Sequence, residues 1–167
     1  GTYKYNTNPE ELSYFMGTKG HNTVMLGGMD QMEKGARFIW LNWTETEHAT
    51  LIQESDCIRF EGAIKAFQHI QTGIIHQRKL VKRVDKLEWK VTDTLKHSTD
   101  LPMQQVWNVH PDFFTDFNID AIDEDGESIP IQEKVHWYSS EYGVKDKSSA
   151  IIFETQTNQI TTTIKAK

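Results

Sequence analysis

Apolar and polar residues alternate with a period of two through most of this chain, in stretches rich in β-branched and aromatic side chains and bounded by turn residues. A period of two puts every second side chain on one face of a strand, whereas an amphipathic helix needs a period near 3.6. The alternation predicts strands over Gly1 to Tyr5, Asn22 to Leu26, Arg37 to Trp43, Ile58 to Ala66, Ile74 to Val84 and Leu87 to Leu95. It predicts further strands over Gln104 to Val109, Phe117 to Ile122, Lys134 to Tyr138, Ala150 to Thr155 and Gln159 to Ile164. In Arg37 to Trp43 both parities are apolar, with Phe38 and Trp40 on one face and Ile39, Leu41 and Trp43 on the other. That pattern predicts a central strand covered on both sides, with Trp40 and Trp43 buried.

Helical periodicity is confined to one place. Asn8 is a cap residue, Pro9 suits the first helical position, and Glu10 and Glu11 complement the helix dipole, so a short helix should begin there and end near Gly17. Gly27-Gly28 can supply positive φ, Asp125-Gly126 is a hairpin signal, and Pro102 and Pro111 interrupt pairing. The stretch from Lys96 to Met103 reads as a loop rather than a domain boundary. With 167 residues and no repeat or linker, the expectation is one domain over 1–167. Its class is all-β: an antiparallel, two-layer β-sandwich of about eleven strands with one short helix near the N-terminus.

Several function classes fall away. No apolar run approaches the about 20 residues needed to cross a bilayer as a helix. The single cysteine, Cys57, precludes an internal disulfide and Cys-based zinc motifs. A net charge of −6 disfavours broad nucleic-acid binding. No Gly-x-Ser-x-Gly elbow and no glycine-rich phosphate loop occurs. The seven carboxylates between Asp112 and Glu127 lack EF-hand ligand spacing and read as a solvated loop and hairpin. Glu54, Asp56 and Glu61 have no spacing that would pair them as glycosidase acids. The basic run Arg78, Lys79, Lys82, Arg83, Lys86 and Lys90 splits between two strand faces, which predicts a solvated edge strand protected by charge. The chain opens at Gly1 without methionine or a leader-like segment, so it is expected to be a processed or excised piece of something longer.

The segment richest in chemistry lies between residues 1 and 31. It reads Gly-Thr-Tyr-Lys-Tyr, then the short helix, then Gly17-Thr18-Lys19-Gly20-His21-Asn22-Thr23-Val24, then Gly27-Gly28-Met29-Asp30-Gln31. A histidine after a glycine-flanked loop can offer one ring nitrogen to a metal while the other takes a hydrogen bond, or it can be a structural hydrogen-bonding residue. Tyr3, Tyr5 and Tyr14 could present phenols to a sugar, or pack as ordinary aromatics. The other histidines are dispersed, and no spacing gathers them with His21.

These blocks resemble the C-terminal β-domain of the heparinase II/III-like polysaccharide lyases. There a Gly-x-Tyr-x-Tyr strand precedes Gly-Thr-x-x-His-Asn-Thr-Val and a glycine turn ending in Asp-Gln. The resemblance extends more weakly to His76-Gln77-Arg78, Asp93, His110-Pro111 and Trp137-Tyr138-Ser139-Ser140-Glu141-Tyr142-Gly143. It implies a parent protein with an N-terminal α/α toroid, absent from this chain, and a substrate cleft between toroid and sandwich. It implies acidic, uronate-containing polysaccharide, such as a glycosaminoglycan or alginate, as the partner, cut by β-elimination. A base removes the proton α to the uronate carboxylate and an acid protonates the leaving oxygen.

By the same resemblance, His21 is the one ligand in this chain for a zinc-like divalent ion whose other ligands lie upstream in the parent, so the fragment should hold none. Tyr3, Tyr5, Tyr14, Asn22, His76 and Arg78 become candidate substrate-binding residues, and no catalytic base or acid is expected here. The isolated domain should be inactive, and the location implied is the periplasm or the outside of a bacterial cell. Where members often carry arginines before His-Asn-Thr, this chain has Ser13 and Met16, which alters the anionic sugar it could hold. Two other classes stay open: a non-catalytic carbohydrate-binding or scaffold module, and a lyase-like protein of surface-polysaccharide assembly.

Overall fold

The computed structural model describes residues 3–4, 8–36 and 39–167. In chain order it contains α1 (Pro9–Met16), a 3-10 turn (Thr18–Gly20), β1 (Val24–Leu26), β2 (Glu33–Lys34), β3 (Trp40–Leu41), β4 (Glu45–Gln53) and β5 (Cys57–Lys65). Then come β6 (Ile75–Arg83), β7 (Glu88–Lys96), β8 (Met103–Asn108), α2 (Phe113–Asp116), β9 (Phe117–Asp123), β10 (Gln132–Tyr138), β11 (Asp146–Thr155) and β12 (Gln159–Ala166). A four-stranded sheet has the order β1-β8-β11-β10, a six-stranded sheet the order β4-β5-β6-β7-β12-β9, and β2 pairs with β3. All of these pairs are antiparallel.

The two larger sheets enclose one core. Leu26, Met103, Trp107, Ile151 and Phe153 of the smaller sheet meet Val91, Leu95, Ile119, Ala121 and Ile160 of the larger. Each fully buried Leu, Ile, Val or Phe removes enough apolar surface to contribute about 1.5–3 kcal/mol. By strand parity Met25, Val106 and Ala150 lie on the opposite face of the smaller sheet, yet they are also buried. On that side sits α1, whose Tyr14 ring lies 5.2 Å from the ring of His136.

The helix forms as its sequence predicts. Asn8 Oδ1 accepts from the backbone N–H of Glu11 at 2.9 Å, and Pro9 opens the helix. The helix ends at Gly17, which turns to an extended conformation; a Cβ there would stand 2.8 Å from the Ser13 carbonyl oxygen and 3.2 Å from Asp30 Oδ1, so the position needs glycine. Gly27 and Gly28 follow β1 with φ of 59° and 75°, a conformation that costs glycine little. The turn at Asp125-Gly126 is closed by Asp123 Oδ1, which accepts from the backbone N–H groups of Asp125 and Glu127.

Two expectations fail. Arg37 to Trp43 is not a central strand: Arg37 and Phe38 lie outside the described residues, and only Trp40–Leu41 pair, with Glu33–Lys34. Ile39, Leu41 and Trp43 are 57%, 47% and 66% exposed. Apolar residues at both parities are equally compatible with an excursion that lays Lys34 over the Trp40 ring at 5.1 Å. The basic run is not an edge strand either, since β6 is the third of six strands. Its charges are accommodated inside the sheet: Arg78 by an ion pair, and Lys82 over the Trp89 ring at 5.0 Å. The edges are β4 and β9. β4 was not foreseen, because its residues are exposed at all nine positions and carry no buried stripe for alternation to reveal. The candidate strand over residues 1–5 falls largely outside the described residues, and the two described there, Tyr3 and Lys4, are not in a strand.

Candidate functional site

His21 sits at the end of the 3-10 turn, on a loop fixed from several sides. Its backbone N–H bonds the Thr18 carbonyl at 3.1 Å, and its carbonyl accepts from Thr23 N–H at 3.0 Å. The glycine turn brings Asp30 and Gln31 back onto this loop. Asp30 Oδ1 accepts from Thr18 N–H at 2.7 Å, Thr18 Oγ1 accepts from Gln31 N–H at 3.0 Å, and Gln31 Nε2 donates to Thr23 Oγ1 at 3.0 Å. The two separated motifs, Gly-Thr-x-x-His-Asn-Thr and Gly-Gly-x-Asp-Gln, are thus two halves of one clamp.

Asn108, at the end of β8, holds the loop on both sides of His21. Its Nδ2 donates to the Lys19 carbonyl at 3.0 Å, and its backbone N–H donates to Asn22 Oδ1 at 2.7 Å. The Asn22 carbonyl is in turn taken by Arg78 Nη1 at 2.7 Å. Nothing in the sequence marked Asn108, because an asparagine at a strand end is ordinary in composition and acquires this role only through pairings 86 and 89 residues away.

Arg78 belongs to a buried polar network between the sheets. Its Nε and Nη2 donate to the two oxygens of Asp93 at 2.7 and 2.8 Å, and His76 Nε2 lies 2.8 Å from Asp93 Oδ1. Gln31 Nε2 lies 3.4 Å from His76 Nδ1. From β8, Gln105 Nε2 donates to Asp93 Oδ2 at 2.7 Å, while Gln105 Oε1 accepts from Trp107 Nε1 at 3.0 Å and from the Thr162 hydroxyl. Burial alone would raise the pKa of Asp93, but the hydrogen bonds from Arg78 and His76 outweigh it and hold the carboxyl far below the usual carboxylate range. This network couples both sheets to the His21 loop.

The expected site residues therefore divide. Tyr3, His21 and Asn22 line a polar hollow of about 490 Å³, together with Asn108, His136 and Trp137. Tyr14 stands beside it, its ring on His136 and its hydroxyl 3.5 Å from Asn108 Oδ1. His76 is buried within the network; Arg78 reaches toward the loop from behind, with its guanidinium already bonded. Tyr5 lies outside the described residues. Tyr3 donates its hydroxyl to Glu11 Oε2 at 3.0 Å, and Lys145, ion-paired with Glu11, lies over the Tyr3 ring at 5.1 Å.

His136 is the residue that sequence reasoning missed. It is 5% exposed, and its Nδ1 has no hydrogen-bond partner among the described residues. Burial pushes its pKa down to about 4, so the ring is neutral at neutral pH. Partial desolvation also lowers the pKa of the more exposed His21, which keeps a lone pair available for a metal or a hydroxyl donor.

Among the described residues, Glu54, Asp56 and Cys57 are the group of three potential ligand side chains whose atoms lie within 4.8 Å of one another. That group sits at the β4–β5 turn, where Glu54 already pairs with Arg59 at 2.9 Å and accepts from Cys57 Sγ at 3.3 Å. His21 therefore contributes a single donor.

No curated protein gives a significant match. Among solved structures, a heparinase III aligns with a TM-score of 0.73 at 13% identity, covering 100% of this chain and 27% of that one. Its lysine-methylated form gives 0.74 and 15%, with the same coverage of 100% and 27%. The heparan sulfate lyase HepC from Pedobacter heparinus gives 0.73 at 13%, covering 99% of this chain and 27% of that one. At such identities the likeness establishes the fold, and the chain spans about a quarter of the length of those proteins, 27%. The family model for the heparinase II/III-like C-terminal domain matches residues 1–167, so the chain belongs to the heparinase II/III-like family and is its C-terminal domain.

Proposed function

We propose that this chain is the β-sandwich wall of a polysaccharide lyase that cuts uronate-containing polysaccharide by β-elimination, within a longer protein whose other parts carry the base and the acid. One observation carries the reading: the His21 loop is pinned on both sides by Asn108 and from behind by Arg78, at the mouth of a polar hollow of about 490 Å³. Such preorganisation is what a binding wall needs, because a loop already held in place does not lose further entropy when it meets substrate.

In this reading His136 offers an uncharged hydrogen-bonding ring at the side of the hollow, and Lys145, over the Tyr3 and Trp137 rings at 5.1 and 4.3 Å, adds a cation beside it. Asn22 and Arg78 act by holding the loop, through the Asn22 side-chain and backbone oxygens and the Arg78 guanidinium. His21 supplies one imidazole to a zinc-like ion completed by ligands outside this chain, which fits the single donor found among the described residues. When bound, such an ion supplies positive charge beside an acidic substrate. The location inferred for the longer protein is the periplasm or the cell exterior.

Metal content tests the assignment. The longer protein should hold one ion per chain, and His21→Ala should lose it while His97→Asn, in the loop after β7, retains it. Unchanged metal in His21→Ala would make His21 an ordinary loop residue.

A further inference from the structure

Beside Tyr14, whose ring packs on His136 of the His21 hollow, lies a second, smaller one. It has a volume of about 240 Å³ and is lined by Tyr14, Lys19, Met25, Val106, Lys134 and Ala150, among others, near the lower end of small-ligand sites. Its floor is apolar and firm: Met25, Val106 and Ala150 are 2%, 2% and 7% exposed. Register explains why they meet. Ala150 of β11 pairs with Lys134 of β10, Ile152 with Val106 of β8, and Met25 of β1 with Gln104, all on the sheet face toward α1.

Two cations flank this floor. Lys134 stands on β10 and Lys19 on the 3-10 turn, whose backbone Asn108 holds through the Lys19 carbonyl at 3.0 Å. Both side chains are exposed, and among the described residues neither ammonium forms an ion pair. Glu154 of β11, opposite Gln104 of β8, accepts a hydrogen bond from Gln104 Nε2. In a chain with net charge −6, two unpaired lysines over an apolar floor beside a tyrosine form a local anion trap. A pyranose with a carboxylate or sulfate matches it: one ring face is C–H rich and suits the apolar floor and the phenol, while the anionic group takes charge-assisted hydrogen bonds.

We propose that this hollow is a subsite for one anionic sugar unit, its carboxylate or sulfate held between Lys19 and Lys134 and its ring on the Met25, Val106 and Ala150 floor. Tyr14 is the partition between this subsite and the His21 hollow, because its ring packs on His136, which lines that hollow. Neighbouring units of one polysaccharide would then occupy the two hollows, with Tyr14 between them. The neighbouring larger hollow of about 730 Å³ shares Tyr14, Lys19, Met25 and Gly28 but is also lined by Glu10, Asp30 and Glu33, so the anionic group is placed in the smaller one. This inference rests on the reading of the chain as a polysaccharide-binding wall.

Three tetrasaccharides test it by titration against the 167-residue chain: an unsulfated glucuronate-containing one, a sulfated one of the same backbone, and neutral cellotetraose. The two acidic probes should bind, more weakly as salt rises, and the neutral one should not. The more tightly held acidic probe identifies carboxylate or sulfate as the recognised group. The double variant Lys19→Gln with Lys134→Gln should lose about tenfold or more in affinity for that probe, as expected for two charge-assisted contacts. Because both lysines are exposed, the melting temperature should be unchanged. Equal affinity in parent and double variant, equal binding of cellotetraose, or no binding of either acidic probe would overturn the subsite. In the longer protein, elimination with a KM unaffected by the lysine variants would sink the subsite and leave the lyase reading standing. Lysine-dependent binding without any elimination would do the reverse.

Discussion

Asp93 is the residue on which most depends. It is fully buried, bonded by Arg78, His76 and Gln105, and its carboxylate charge is compensated by Arg78. Asp93→Asn would leave Arg78 without its counter-charge and should cost on the order of 3–5 kcal/mol in denaturant melts. The sign with pH follows from its depressed pKa. The contribution is present above the unfolded carboxylate's pKa of about 3.9 and is lost as pH falls toward the folded value, so parent and variant should converge in strong acid. His136 works in a different window. Its folded pKa of about 4 lies below the ordinary histidine value of about 6.5, so the unfolded chain takes up a proton first. Stability linked to His136 is therefore present above about 6.5 and falls between there and about pH 4, by on the order of 1–3 kcal/mol given that some water still reaches the ring. His136→Gln should remove that slope from melts taken across the window. A slope that persisted would place the titration elsewhere. Asn108 acts through backbone: Asn108→Ala removes the Nδ2 bond to Lys19 and should speed amide exchange at residues 19–23 while sparing the exchange of β12.

At the scale of elements, exposure separates residues that the alternation treats alike. Trp43→Ala should change stability by no more than about 0.5 kcal/mol, as at other exposed positions, and Trp43 should be readily quenched. Phe153→Ala in the core, with 0% exposure, should cost about 3–5 kcal/mol. Similar losses for both would mean that the β2–β3 excursion packs as a strand after all. Alternation found the strands that bury one face, such as β7 with Val91, Asp93 and Leu95 inward, and it found β8, β9, β11 and β12 with ends within a few residues. It missed β4, whose face is solvated on both sides, and it overread Ile39 to Trp43, because parity reports which side chains share a face and not whether anything covers it. Sheet order was likewise illegible: the basic residues of β6 read as an edge because the Arg78–Asp93 pairing that admits a charge to the interior joins different strands. The helix cap, the glycine turn and the His21 loop were legible because their chemistry is local. His136 and Asn108 were not, because their roles come from strand register.

Over the whole molecule, the sandwich is closed by its own core and by a polar network that ties both sheets to one loop, so the 167-residue chain should fold alone with a cooperative melt. In the proposed reading it presents a wall to a substrate: a hollow at His21, a partition at Tyr14 and a cationic hollow beside it. Elimination leaves an unsaturated uronate that absorbs in the short-wavelength ultraviolet, so chemistry can be followed continuously. The decisive measurement is that absorbance on acidic polysaccharide with three samples: the longer protein, its His21→Ala variant, and the isolated chain. The account predicts sustained product from the first, at least a tenfold loss in the second, roughly the scale for removing a metal-site group, and none from the third. Product from the isolated chain, or an undiminished rate in His21→Ala, would contradict it.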